Sequence, residues 1–289
     1  MLIGLLFALV ATVLNSIAGL LESDGARYAS HRRPLGTQPR HLVGLLIDGL
    51  GWVCTVVALR SLPVFVVQAV LGGAIALTAL GARWVYRSSL RRIDRWAIAG
   101  CVLGLGLIAG SAGPDHPAGL SLEALLGLFG AAGLLVVALV ALRSSGRAWP
   151  LGVVAGLGFG GTSVAVRAVH RSGDTDPLAL LTQPAVYLVL VFWAVGMVAY
   201  SRALALTSVA ELTAVLLVTE IVAPGLAGIA LLGDTVRPGW WWVLAIGLAL
   251  AVTGVRVLAG SPAQRPPPRR IGHRHRTPPR FLPRRPAAD

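Results

Sequence analysis

Three carboxylates fall inside apolar runs of this chain: Asp48, Glu211 and Glu220. An acid at the centre of a membrane span costs roughly 2.5–3.5 kcal/mol on insertion scales, so such groups line cavities and handle ions, protons or solutes. Glu220 is the deepest of them. Pro224 follows it by four residues and removes the donor that would bond the Glu220 carbonyl, which leaves a kinked helix with a free acceptor beside an ionisable side chain. At 100° per residue Thr213 shares a face with Glu220, whereas Glu211 lies on the opposite face. Asp48 sits about two turns into its own apolar run. The neutral polar residues Asn15, Ser16, Gln68, Thr162, Ser163 and Tyr200 also lie in such runs, and these together predict a path for a small solute or cation lined by Asp48, Glu220, Asn15, Gln68, Thr162, Ser163, Tyr200 and Thr213.

Enzymatic chemistry is not expected. His31, His41, His116 and His170 stand in loops or at the ends of apolar runs, with no acid and nucleophile at a recognisable spacing. The run GLGFGG at 156–161 lacks the preceding strand and the Lys-Ser/Thr of a phosphate loop. Its glycines read as helix-packing surfaces: Gly152, Gly156 and Gly160 form a small-residue ladder, as do Gly100 with Gly104 and Gly106 with Gly110. Cys54 and Cys101 are expected as free thiols. No cofactor and no metal site is predicted.

The elements that must hold these residues are membrane helices. Of the 289 residues 55% are hydrophobic and only 13% charged, whereas soluble domains average about 25% charged. About 20 apolar residues span a bilayer core. Nine runs reach that scale, at 1–21, 41–59, 62–82, 96–112, 120–142, 149–169, 183–203, 206–232 and 238–258, the first read as a membrane helix and not a cleaved signal. The net charge of +13, all 25 basic residues being Arg, alternates by loop. Arg27, Arg32, Arg33 and Arg40 fill the first loop, Arg83, Arg87, Arg91, Arg92 and Arg95 the third, and Arg143 with Arg147 the fifth. By the positive-inside rule this predicts an outer N-terminus, a cytoplasmic C-terminus, and Arg60, Arg167, Arg171 and Arg237 on or near the outer side. Trp240, Trp241 and Trp242, with Trp84, Trp96 and Trp149, fit interfacial belts. Residues 261–289, with eight Pro and eight Arg, are predicted to be a disordered basic tail attracted to anionic lipid of the inner leaflet, without nucleic acid as partner. The all-Arg, Ala- and Gly-rich usage points to a bacterial plasma membrane.

The chain also repeats itself. The segment from Gly51 aligns without a gap with the segment from Gly196, an offset of 145, and residues 2–16 resemble 150–164 at an offset of 148. The expected domains are a first four-helix unit at 1–112, a linker helix within 113–147, a second four-helix unit at 148–260, and the tail. One intervening crossing inverts the second unit, and inverted repeats around a midplane site are a feature of secondary transporters.

The run from Ala214 to Val255, in which a Pro-containing helix ends in a Leu-Leu-Gly-acid turn at Asp234 before a Gly-rich last helix, resembles the C-terminal signature of the drug/metabolite transporter superfamily. The nine-span layout is most similar to its NIPA-type magnesium transporter branch, with Ile47-Asp48-Gly49 at the place of that branch's Gly-Glu pair. Asp48 replaces its Glu, and Gly51 its following Asn. The resemblance implies an all-α polytopic fold and alternating-access transport, and the cation stays open. The competing expectation is a non-transporting membrane subunit that positions an enzyme or larger complex, with the Arg/Pro tail as its docking handle for a protein partner; a homodimer is also expected as a possible assembly.

Overall fold

A computed structural model describes residues 2–28, 39–86, 91–114, 121–171, 182–207 and 209–261. The tail, and with it the expected lipid contact, lies outside the described residues. The helices in chain order are α1 (Leu2–Tyr28), α2 (Pro39–Ala58), α3 (Val64–Gly72), α4 (Ala74–Tyr86), α5 (Arg92–Ser111), α6 (Leu122–Ala141), α7 (Ala148–Arg171), α8 (Pro184–Leu204), α9 (Val209–Leu231) and α10 (Trp241–Ala259). No strand occurs among the described residues, only an isolated bridge between Ala112 and Val236. Among the described residues seven helical stretches are long and apolar enough to cross a bilayer: Leu2–Leu21, Val64–Gly81, Arg92–Ser111, Leu122–Ser144, Ala148–His170, Pro184–Leu204 and Trp241–Ala259. Leu42–Ala58 and Val215–Leu231 are apolar but shorter. The chain thus has the all-α make-up of a polytopic membrane protein, and the apolar residues it exposes, such as Leu46, Leu103 and Leu134, suit contact with lipid.

Close approaches fix the helix directions. Gly4 packs on Ser61 and Leu62 while Gly51 packs on Asn15, so α1 and α2 are antiparallel. Gly158 meets Gly196 and Gly161 meets Phe192, so α7 and α8 are antiparallel in the same way. The Thr12 and Ser16 hydroxyls, which donate to the Ala8 and Thr12 carbonyls at 2.7 Å, also stand 3.1 Å from the carbonyls of Val70 and Ala74, so α1 runs parallel to α3 and α4. Gly152, Gly156 and Gly160 rest in turn on Leu212, Thr219 and Pro224, so α7 runs parallel to α9. Between these two sets the sense reverses: Val64 meets Gly228 and Gly72 meets Ile221, which makes α3 antiparallel to α9. α5 and α10 are antiparallel too, with Gly104 against Gly247 and Gly254 against Ala97 and Cys101.

The third predicted span is interrupted at Gly73. Its amide donates to Val70 at 3.0 Å and Ala69 at 3.3 Å, while the Thr12 hydroxyl also stands 3.1 Å from the Val70 carbonyl. A side chain inserted into the ladder is a recognised cause of such a break. Of the glycine ladders, Gly152, Gly156 and Gly160 serve close packing, as Gly104 does. Gly106 differs, because nothing lies within 4 Å of a Cβ placed there, and at Gly110 only the Trp240 ring approaches, at 3.8 Å. That pair faces outward, and the expectation of a packing ladder there is corrected. Trp96, Trp149, Trp241 and Trp242 are exposed, as an interfacial belt requires. Cys54 and Cys101 are free.

Candidate functional site

A cavity of about 290 Å³ lies among α1, α2, α3, α7, α8 and α9. From α1 comes Asn15, and from α2 Asp48, Trp52 and Thr55. Phe159, Thr162 and Ser163 project from α7, Trp193 and Met197 from α8, Leu71 from α3 and Glu220 from α9. Among the described residues that line it there is no Arg, Lys or His. The two carboxyl groups therefore give the space a negative character without a cationic side chain on this wall to offset it.

The hydroxyls on this wall are partly committed. Thr55 donates to the Gly51 carbonyl at 3.0 Å and Thr162 to the Gly158 carbonyl at 3.0 Å, each one turn back in its own helix. This back-bonding uses the hydroxyl proton and leaves the oxygen lone pairs as acceptors. Asn15 Oδ1 is buried without a hydrogen-bond partner among the described residues and rests against Gly51, where any larger residue on α2 would collide with it.

One helical turn beyond Thr55 and Ser163, α2 and α7 reach a buried ion pair. Arg167 Nη2 stands 3.1 Å from Asp234 Oδ1, with side-chain exposures of 1% and 0%. Arg167 Nη1 also donates to the Leu59 carbonyl at 2.7 Å, just past the end of α2, and Asp234 Oδ2 accepts the Val64 amide at 2.7 Å, at the first turn of α3. Pro63 at the N-cap of α3 offers no side-chain cap of its own. The anion thus serves a helix N-terminus and the cation a helix C-terminus, the arrangement both helix dipoles favour. Arg167 and Asp234 do not themselves line the cavity. Asp48 is the lining residue of α2 farthest from Leu59, and it is exposed, so the cavity reaches the surface there.

Of the residues expected on the path, Asn15, Asp48, Thr162, Ser163 and Glu220 are brought together on this wall. Gln68 is not: it is buried within α3, 2% exposed, and its Nε2 has no hydrogen-bond partner among the described residues. Tyr200 stands behind the wall, its ring edge-on to Phe159 at 6.3 Å between centroids. The side chain of Thr213, like that of Glu211, lies outside the described residues. Pro224 sits inside α9 and packs on Gly160. The sequence reading missed Trp52 and Trp193, which look like two more interfacial aromatics. It also missed the pairing of Arg167 with Asp234, though an Arg inside the apolar run Val164-Ala165-Val166 was a signal. No group of three or more His, Cys, Asp or Glu able to hold a metal ion occurs among the described residues.

Compared with known proteins, the chain matches no family model, no curated protein and no solved structure.

Proposed function

We propose that the chain is an integral membrane secondary transporter, of the kind its resemblance to the drug/metabolite superfamily implies, which moves a small solute or cation by alternating access of two inverted four-helix halves. The observation that carries this reading is the origin of the cavity wall. Six of its eleven residues form pairs separated by the repeat offsets: Asn15 with Ser163, Asp48 with Trp193, and Trp52 with Met197. Each half lends the equivalent faces of its first two helices to one central space.

The helix directions support the inversion. Within each half the first helix is antiparallel to the second and parallel to the third, and the third helices of the two halves oppose each other. In α5 and α10, Gly104 lies between Gly247 and Ala251, around its own repeat mate Ala249, as expected where a two-fold axis passes. In this reading α3 and α4 form one crossing, α2 and α9 also cross, and nine crossings leave the N-terminus outside and the C-terminus in the cytoplasm of a bacterium. The Arg167–Asp234 pair then lies toward the outer end, and the cavity opens inward at Asp48.

The test is solute flux in proteoliposomes with and without a proton gradient, comparing the wild type with Glu220→Gln. Abolished flux in a folded variant is the expected result. Wild-type flux in the variant removes Glu220 from the mechanism, and stable co-purification with one partner protein without any flux would replace transport by the subunit reading.

A further inference from the structure

The chemistry of the cavity wall narrows what it can hold, and this step rests on the transporter reading of the same site. We infer that the cavity binds an organic ammonium ion that carries N–H donors and an aromatic or otherwise apolar body. Three independent features of the wall point to this class.

The first is charge. Asp48 and Glu220 face a space with no cationic side chain among the described residues of its wall, which excludes carboxylates, phosphates and other anions as favourable guests. The second is the direction of the hydrogen bonds on offer. Thr55 and Thr162 have spent their protons on Gly51 and Gly158, so both hydroxyl oxygens, like the carboxylates, present acceptors. A guest with several N–H donors satisfies them, and charge-assisted bonds of this kind are about twice as strong as neutral ones.

The third is the apolar remainder of the wall. Trp52 on α2 and Trp193 on α8 flank the space, with Phe159 on α7 as a third ring. Indole faces attract cations within about 6 Å of the ring centroid and also stack on apolar groups. A hydrated divalent metal ion gains little from such a wall. Mg²⁺ demands a near-octahedral set of oxygens and sheds its waters reluctantly, and no group of three metal-binding side chains occurs among the described residues. At about 290 Å³ the cavity lies at the small end of ligand sites, which suits a single-ring amine better than a larger amphiphile.

The experiment is equilibrium binding to the purified full chain in detergent, read by tryptophan fluorescence and by calorimetry. The probes are benzylammonium, benzyltrimethylammonium, benzyl alcohol, benzoate and Mg²⁺. Benzylammonium is expected to bind at least tenfold more tightly than the alcohol, with benzoate and Mg²⁺ neither binding at this site nor competing. Asp48→Asn, Glu220→Gln and Trp193→Ala are each expected to weaken benzylammonium fivefold or more while eluting as the wild type does on gel filtration.

Failure of benzylammonium to bind, or competition by Mg²⁺ or benzoate that is lost in Glu220→Gln, overturns the assignment. Equal affinity for the trimethyl compound overturns the requirement for N–H donors. Because binding is read without flux, the two readings fail separately. Binding without transport of any solute removes the transporter and keeps the ligand class, while flux of another solute without ammonium binding does the reverse.

Discussion

The Arg167 guanidinium and the Asp234 carboxylate face each other at 3.1 Å in a fully buried setting, joined across 67 residues of chain. Neither charge is solvated, and each has a backbone partner at a helix end besides. Removing one member leaves the other buried without its counter-charge, which costs about 3–5 kcal/mol. Arg167→Met or Asp234→Leu alone should therefore lower unfolding stability in mixed micelles by about that amount, and the double variant by much less than the two combined. Additive losses in the double-mutant cycle would show that the two residues are not coupled.

The contact between α5 and α10 gives a second prediction with its control built in. A Cβ at Gly104 would stand 2.6 Å from the Gly247 carbonyl oxygen and 2.8 Å from the Ala251 amide nitrogen, backbone atoms that cannot step aside singly. Gly104→Ala should destabilise by about 1–3 kcal/mol through overpacking. Gly106→Ala, two residues on and open to its surroundings, should be neutral or stabilising by up to about 1 kcal/mol from helix propensity. Thermal denaturation of the two variants side by side checks both values, and equal effects would contradict the packing described.

Gln68 tests the boundary of the site. Its buried Nε2 has no hydrogen-bond partner among the described residues and it does not line the cavity, so the side chain costs desolvation without a visible return. Gln68→Met keeps the volume and removes the orphaned amide, and a gain of about 1–3 kcal/mol in stability with unchanged flux is expected. Lost flux in that variant would return Gln68 to the transport path.

At the start of α5 the Asp94 carboxylate reaches back from the third helical position to accept the Arg91 amide at 2.9 Å, and the Arg91 side chain pairs with it at 3.3 Å. The guanidinium is half exposed, so the ion pair adds little, and the cap dominates. Asp94→Ala should cost about 1 kcal/mol. A hydrogen-exchange experiment should find the loss of protection confined to the first turns of α5.

The parts of this molecule that were legible in its sequence are those set by local rules. Apolar run length marked the helices, because a chain in lipid must satisfy its backbone within each segment. Spacing by four marked the Gly152 face, which does meet α9. Polarity in the wrong place singled out Asn15, Asp48, Ser163 and Glu220, which share one cavity. The rest depends on relations no local pattern carries. Arg167 reads as a charge near a span end and Asp234 as a turn residue, and only the parallel packing of α7 on α9 brings them together. Trp52 and Trp193 have the composition of belt residues, and only their place on α2 and α8 separates them from Trp96 or Trp149. Gln68 has the same polarity as Asn15 but is buried away from the cavity, which polarity alone does not reveal.

The interruption at Gly73 divides the third crossing between two bodies. Val64 to Val70 belong to the large core that holds the Arg167 pair, whereas Ile75, Ala76 and Ala79 belong to the smaller cluster with Cys101, Val255 and Leu258. Where the two meet, α1 touches the crossing through the hydroxyls of Thr12 and Ser16. Leu217 and Leu248 pack against both bodies, and Gly72 and Gly73 press on Ile221 and Leu105. The turn at Gly73 is thus a seam that one crossing shares between two packed bodies, so a substitution there is felt by both.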